Sequence, residues 1–401
     1  MPKKLVVVCL LNFLIAALMG LALRYSFIDS IGINYRFLTH AHSHIAMLGW
    51  VYLMLYTLIV NYFVKNKKPV YNRLFWLTEF AVIGMMLSFP VQGYAAVSIA
   101  FSTLHIFCSY YFVYLVWNNI KNKYSVSSKL LKASLLFMLV STIGVWCLGP
   151  AVKTLGQASA FYQIAIQFFL HFQFNGWFLI AVIAVLFRFL KIKKSKTYQQ
   201  FYITLISATI LTFALPIQWY LPNKTLLFLN SVGVILQLLT IVYFIKLIKP
   251  YARNYIKGNL NFILYYFSIS CFVLKTLFQL VTIIPEFSQI VIEHRNFVIG
   301  FIHLMMLGVI SGFLFLFLLN SALIRKTKSI YFGLYSFISG FLLTELLLLI
   351  QACSFYFGKG QIPNYYILLF LFSIFLPLGI AFILWNILNF KKNENKTTKT
   401  T

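Results

Sequence analysis

The chain has 401 residues, of which 61% are hydrophobic and only 10% are charged. A soluble protein carries roughly a quarter charged residues, so this composition excludes an ordinary soluble enzyme or binding domain. The formal net charge of +27 would suit nucleic-acid binding, but the positions of the basic residues explain it otherwise. The five cysteines are scattered without a Cys-x-x-Cys pair, which predicts buried thiols rather than disulfides.

Apolar runs follow one another along the whole chain, and a bilayer-spanning helix needs about 20 such residues. The runs lie near 5–23, 41–64, 74–93, 95–117, 130–149, 160–187, 199–220, 225–248, 259–283, 294–320, 330–356 and 365–390. The first has no small-residue cleavage site, so it is expected to remain as a helix. The runs lack the alternation of membrane strands. The sequence predicts an all-α integral membrane protein, a bundle of about 12 transmembrane helices over residues 1–390, with a disordered cytoplasmic tail at 391–401.

Basic residues fall on alternate connections between these runs. With the N-terminus inside, most of the 33 Lys and Arg residues lie on the cytoplasmic side, for example Lys65, Lys67 and Lys68. The opposite side holds Arg24, Arg36, Lys153, Lys224, Arg295 and Lys359. This asymmetry follows the positive-inside rule, which predicts cytoplasmic termini in a bacterial plasma membrane. The lipid bilayer is the expected partner, and nucleic acid is not.

The seven histidines lie at or near the starts of even-numbered spans, in the half of the bundle predicted to be outer. They are His40, His42 and His44 in the second span, His105 in the fourth, His171 in the sixth, and His294 and His303 in the tenth. Hydrogen bonding between helices is the structural alternative. Seven imidazoles at one depth favour a cofactor or metal site, because neutral imidazole is the commonest metal ligand.

Two of these histidines begin similar segments. Residues 44–49 read His-Ile-Ala-Met-Leu-Gly and residues 303–308 read His-Leu-Met-Met-Leu-Gly, with four of six positions identical. Chance among apolar residues is the alternative explanation. A functional explanation is that two helices present one imidazole each to a planar cofactor, and that the glycine admits the ring or a neighbouring helix.

Helical spacing sorts the remaining histidines. His40 and His44 are four residues apart and share a face, whereas His42 points about 200° away from either. His294 and His303 are nine residues apart. They therefore lie on opposite faces and do not reach one metal from a regular helix.

These features resemble the large subunit of the heme–copper oxidase superfamily, which includes subunit I of cytochrome c oxidase and the nitric oxide reductases. In helix two, His44 matches the family's low-spin heme ligand. In helix six, His171 begins His-Phe-Gln-Phe-Asn-Gly, where nitric oxide reductases have His-x-x-Val-Glu-Gly and bind a non-heme metal. In helix ten, residues 301–304 read Phe-Ile-His-Leu where the family has His-x-His-Leu, so His303 matches its second, low-spin heme ligand.

The chain also departs from the family pattern. Phe301 replaces the ligand of the high-spin heme, Asn175 replaces the acidic residue of helix six, and the seventh span, 199–220, contains no histidine. The resemblance therefore implies an intact low-spin heme site beside a degenerate binuclear centre, and the oxygen-reducing activity is not carried over. It implies a role in electron transfer or in nitric oxide or oxygen chemistry. An electron-donor protein or quinol, and a partner subunit, are the expected partners.

The predicted site is a heme b bound by His44 and His303. Arg36 and Arg295 are expected to pair with its propionates, with interfacial anchoring as the alternative role for both arginines. A second metal, copper or another, is the further expectation, with the ligands His171, His105, His294, His40 and His42.

Two other functions remain open from the sequence. The chain also resembles a twelve-helix heme- and copper-containing family linked to nitric oxide tolerance, which shares its size and a histidine-rich second helix. A proton-coupled transporter would use the intramembrane residues Glu79, Lys275 and Glu345. No half-to-half repeat and no pair of broken, glycine-rich helices is evident in the sequence, which argues against the transporter.

Overall fold

The computed structural model describes residues 1–389, apart from the side chains of residues 253–255 and 292. Within these residues there is no strand, and twelve helices are long and apolar enough to cross a membrane. They are α1 (Lys3–Tyr25), α2 (Tyr35–Phe63), α3 (Pro69–Gln92), α4 (Ala96–Asn119), α5 (Val126–Leu155), α6 (Ala160–Phe189), α7 (Lys196–Tyr220), α8 (Lys224–Ala252), α9 (Asn259–Val281), α10 (Arg295–Leu319), α11 (Lys328–Tyr356) and α12 (Tyr365–Leu388). The predicted fold class and number of spans are confirmed. Residue 390 and the predicted tail at 391–401 lie outside the described residues.

The helices pack as three consecutive groups of four. In each group the first helix packs on the second and the third packs on the fourth, and α12 returns to pack on α1. The second helices of the groups, α2, α6 and α10, are the most deeply buried. The contacts of α6 reach both α2 and α10. The protein therefore has three inner helices surrounded by the outer ones.

Each inner helix changes from α-helical to π-helical geometry directly after a histidine. The π-helical segments of the described chain are Ile45–Tyr52, Phe172–Phe178 and Leu304–Ser311. We call the three preceding residues, His44, His171 and His303, the histidine layer. Because π-helical turns are rare and concentrate at functional sites, their repetition at this layer identifies it as the part of the bundle to examine.

A glycine lies five residues after each histidine of the layer, where an outer helix approaches closely. A Cβ atom at Gly49 would lie 2.9 Å from the Cβ of Asn12 on α1, and one at Gly308 would lie 2.8 Å from the Sγ of Cys271 on α9. Gly176 is covered in the same way by a phenylalanine of α5. These glycines therefore admit neighbouring helices, which is one of the two roles expected for Gly49 and Gly308.

Burial of the inner helices changes abruptly at the histidine layer. Beyond it, every residue of 171–187 and of 308–319 is buried. Before it, no residue of Arg295–His303 is buried. Successive residues of an α-helix point about 100° apart, so nine accessible residues cover every side of the helix. The histidine side of α10 is therefore partly accessible around its whole circumference, unlike the rest of the helix.

One hydrogen bond ties α2 to α10 between their π-helical segments. The indole Nε1 of Trp50 donates to the Oγ of Ser311 over 2.8 Å, and both residues are buried. We expect Ser311→Ala to lower the free energy of unfolding by about 1–3 kcal/mol, because the indole N–H loses its acceptor in the core. Thermal unfolding in detergent measures the change. Ser231→Ala is the control, because the Ser231 hydroxyl bonds within its own helix; equal melting temperatures would contradict the prediction.

Candidate functional site

Charged and imidazole side chains meet between α1, α2, α10 and α11. We call Arg24, His42, His303 and Glu345 the helix-ten cluster. The Nδ1 of His303 lies 3.4 Å from the Oε1 of Glu345. The Nδ1 of His42 donates to the carbonyl of Ala16 on α1 over 2.7 Å, in the tautomer protonated at Nδ1. His42 and Arg24 are both within electrostatic range of His303. Side chains of α1, α2 and α11 therefore lie around the His303 imidazole of α10.

The two imidazoles of the helix-ten cluster differ at Nδ1: that of His42 makes a hydrogen bond, whereas that of His303 lies beside Glu345 without one. Among the described residues, none makes a hydrogen bond to the Nε2 of His42 or of His303. A Cβ atom at Gly20 would lie 2.9 Å from the Cε1 of His42, so this glycine lets the His42 ring lie against α1. The His303 side chain is 25% exposed. His42, which is anchored through Nδ1 and has no partner at Nε2, therefore has the usual arrangement of a metal-ligating histidine.

His44 belongs to a second cluster, between α2, α3 and α4. Its Nδ1 donates to the carbonyl of His40 over 2.8 Å, and its Nε2 accepts from the Tyr94 hydroxyl over 3.1 Å. Its ring centroid lies 4.5 Å from that of Phe89. His105 is within electrostatic range of His44, and its buried Nε2 has no hydrogen-bond partner in the described chain. Both nitrogens of His44 are thus occupied, and its ring faces α3.

The structure places the two histidines of the predicted heme pair, His44 and His303, in different clusters. His40 and His44 share a face as expected, and His42 points elsewhere as expected. The histidine of α2 that approaches His303 is, however, His42. The motif at residues 44–49 does not show which histidine of α2 is directed towards α10, because the direction of a side chain depends on how its helix packs against its neighbours.

The predicted arginines lie at the edge of these clusters. Arg36 is exposed and within electrostatic range of His40, and the guanidinium of Arg295 lies 5.9 Å from the ring centroid of Tyr35. Arg24 was not predicted as a site residue. An arginine at the end of a first span is typical of interfacial anchoring, so its proximity to His303 emerges only from the packing of α1.

The histidines predicted for a second metal lie in separate places. The Nε2 of His171 donates to the carbonyl of Thr209 on α7 over 2.8 Å. His294 precedes α10, and its ring stacks at 6.4 Å from that of Phe355. Within residues 1–389, no group of three or more His, Cys, Asp or Glu side chains has a geometry that could hold a metal ion.

The three-fold organisation is visible in the sequence only if thirds are compared. His-x-x-x-x-Gly occurs at 44–49, 171–176 and 303–308, once in each group of four helices. A comparison of halves misses this pattern, because the group boundaries fall elsewhere. The layer histidines also face the same way within their groups: His44 contacts Tyr94 just after α3, His171 contacts α7, and His303 contacts α11.

Lys275 of α9 lies beside a small cavity between α6, α7, α8 and α9. The residue is 1% exposed, and no carboxylate of the described residues forms an ion pair with its ammonium. The cavity has a volume of about 10 Å³, near the minimum for one water molecule. It is lined by Asn175, Leu179, Leu205, Ala208, Thr209, Gln237, Thr240, Phe272, Lys275 and Thr276.

We expect Lys275→Met to raise the free energy of unfolding by about 1–4 kcal/mol, because methionine fills a similar volume without burying an unpaired charge. Thermal unfolding in detergent, followed by circular dichroism, measures the change. Lys249→Met, at an exposed position of α8, is the control and should have little effect. A lower melting temperature for Lys275→Met than for the control would show that the ammonium is stabilising where it lies.

Comparison with known proteins assigns no role to these residues. No protein-family model matches the chain, and no curated protein sequence matches it. The helix-ten cluster brings two imidazoles, one of them anchored through Nδ1, near a carboxyl group and a guanidinium.

Proposed function

We propose that this chain is a membrane heme protein in which His42 and His303 would hold a heme b. Three observations support the proposal: His42 donates its Nδ1 proton to the carbonyl of Ala16, neither imidazole has a partner at Nε2 among the described residues, and the two are within electrostatic range of each other. A six-coordinate heme requires one such nitrogen on each side of its iron. Bound there, the heme would supply one-electron oxidation and reduction.

The surroundings of His303 are partly accessible and partly apolar. No residue of the helix segment Arg295–His303 is buried. Ile299 of this segment packs beside an apolar cluster of α11 and α12 that includes Leu348 and Leu369. Arg24 lies near the same histidine and would pair with a propionate, a charge-assisted contact for which a guanidinium is well suited. Arg24 thereby takes the role first expected of Arg36 and Arg295.

The proposal keeps the resemblance to the heme–copper oxidase superfamily and restricts it to the low-spin heme. Its support is the set of inner helices α2, α6 and α10, each with a histidine at one depth. Phe301, Asn175 and the histidine-free α7 lack ligands for the family's second centre. We therefore propose electron transfer, with the histidine side facing outward and both termini in the cytoplasm of a bacterium. A redox protein or quinol would deliver the electrons.

A redox difference spectrum of the purified protein tests the proposal. We expect one heme b per chain, low-spin in both oxidation states, and no spectral change with carbon monoxide, because both axial positions are occupied. Metal analysis should find heme iron. Copper in equal amount would instead favour the nitric oxide tolerance family, and a preparation from heme-replete cells with no heme would refute the proposal and favour the transporter.

A further inference from the structure

We infer that the cavity beside Lys275 binds a water molecule, and that further waters join it to the histidine side of the bundle along buried amides. The inference is independent of the proposed function, because no residue of the helix-ten cluster takes part. Most of the buried side-chain nitrogen and oxygen atoms without a hydrogen-bond partner in the described chain lie on α6–α9. The amides among them are Asn175 of α6, Gln218 of α7, Asn230 and Gln237 of α8, and Gln279 of α9.

Two of these amides line the cavity together with Lys275. The Oδ1 of Asn175 and the Oε1 of Gln237 accept no hydrogen bond from a described residue, so neither oxygen is bonded directly to the Lys275 ammonium. The ammonium itself has no carboxylate partner in this part of the chain. Buried polar groups are normally hydrogen-bonded to protein or to ordered water. A molecule that bridges the ammonium and the two oxygens is therefore expected in the cavity.

The available groups select water over an ion. The hydroxyls of Thr209, Thr240 and Thr276 also line the cavity, but each donates to a carbonyl of its own helix. An anion would meet two amide oxygens that repel it, and a second cation would be repelled by the ammonium. One water can accept from Lys275 and donate to both oxygens, and a buried water typically makes about three hydrogen bonds. The cavity volume of about 10 Å³ fits one such molecule.

Further amides continue from the cavity towards the histidine side. On α8, Asn230 lies seven residues before Gln237 and therefore on nearly the same face. It is 1% exposed, and neither its nitrogen nor its oxygen has a partner among residues 1–389. On α9, Gln279 lies one turn beyond Lys275 in the same direction, and Gln218 lies near the end of α7; the Oε1 of each is unpartnered as well. Waters bonded to these amides would form a route to the cavity.

The route ends beside a surface depression at the connection between α7 and α8. Ile217, which precedes Gln218 in the chain, lines this depression together with Leu221 and Leu226, and its volume is about 630 Å³. Leu221 is exposed, so bulk water reaches the depression. Because lipid offers no hydrogen bonds to amides at membrane depth, water enters from such an end of the bundle.

Hydroxyl-radical labelling of the purified full-length chain by an X-ray pulse, read by mass spectrometry, tests the inference. Radicals formed from a bound water modify the side chains that touch it, and Phe272 lines the cavity although it is only 4% exposed. We expect Phe272 to be labelled more strongly than Phe315, a buried phenylalanine that packs among the rings of Trp50 and Phe337. Equal labelling of the two phenylalanines in the wild-type protein would overturn the inference.

Gln237→Leu removes one of the oxygens that would hold the water, so we expect the labelling of Phe272 to fall to the level of Phe315. Gln173→Leu is the matched control, because Gln173 is also buried but its Oε1 already accepts from the Ser141 hydroxyl over 3.0 Å. The control should leave the labelling of Phe272 unchanged. Equal labelling of Phe272 in the two variants would contradict the assignment of the water to Gln237. If Gln237→Leu does not fold, the comparison within the wild-type protein decides.

Rapid mixing with heavy-oxygen water before the pulse tests the route. The time at which heavy oxygen appears on Phe272 measures how fast the bound water exchanges with the solvent. We expect Asn230→Leu and Gln279→Leu to slow this exchange, because each replaces a hydrogen-bonding group along the route with an apolar one. Unchanged exchange in both variants would overturn the route, and labelling of Phe272 itself would still report on the water in the cavity.

Discussion

Replacing His303 with alanine should leave the protein folded but without low-spin heme. In the proposed site the imidazole would supply one of the two bonds to the heme iron, and Phe301, two residues earlier on α10, has no atom that could coordinate in its place. We expect the heme content per chain to fall at least about tenfold, the range in which lost metal-site contacts weaken binding. Pyridine hemochrome assay and the redox difference spectrum measure it. His294→Ala should retain the heme, because His294 lies before α10 against Phe355.

The same assay distinguishes the candidates on α2. We expect His42→Ala to lose the heme and His44→Ala to keep it, because His44 is held by His40 and Tyr94 in the second cluster. The opposite result, loss with His44→Ala alone, would make His44 the ligand, as the family resemblance implies. Retention of a bis-imidazole spectrum in His303→Ala would refute the heme site as a whole.

Gly144→Ala should destabilise the bundle by about 1–3 kcal/mol through overpacking. A Cβ atom at this position of α5 would lie 2.4 Å from the carbonyl oxygen of Ala165 and 2.9 Å from the backbone nitrogen of Phe169, both on α6. Backbone atoms cannot rotate away as a side chain can, so α5 and α6 must separate. Because α6 carries His171 and a π-helical segment, the separation would also disturb the histidine layer.

The matched control for this substitution lies on the same helix. Nothing lies within 4 Å of a Cβ atom built at Gly149. Gly149→Ala should therefore lower the melting temperature in detergent less than Gly144→Ala does, since only the adjacent Pro150 crowds the added methyl group. If the two variants unfold at the same temperature, the close approach of α5 and α6 does not contribute to stability.

The spans could be predicted because the hydrophobicity of each run is a local property of the sequence. The start of α2 was placed too late, at residue 41, because its first turns are polar and contain His40. In the structure α2 begins at Tyr35, where Asn34 caps it by accepting from the backbone nitrogens of Arg36 and Phe37. Hydropathy does not detect a capped polar turn, although the cap residue itself is a recognisable signal.

The sequence predicts at which end of the bundle the candidate site lies, but it does not predict which residues form the site. All seven histidines fall in the predicted outer half of the bundle because each lies in or beside the first half of an even-numbered span. Which of them approach one another depends on how the helices rotate and pack, as the contacts of His42 with Ala16 and Gly20 on α1 show. Arg24 and Glu345 join His303 from helices far away in the sequence. No spacing rule brings such residues together.

The four-helix groups repeat one arrangement of helices, while the chemical environment of the layer histidine differs from group to group. Each group presents an imidazole from the same position, and the partner differs: the phenol of Tyr94, the carbonyl of Thr209 or the carboxylate of Glu345. One architecture used three times thus provides three ligand environments, and a change in the third helix of a group, or just after it, would retune one environment while leaving the others as they are.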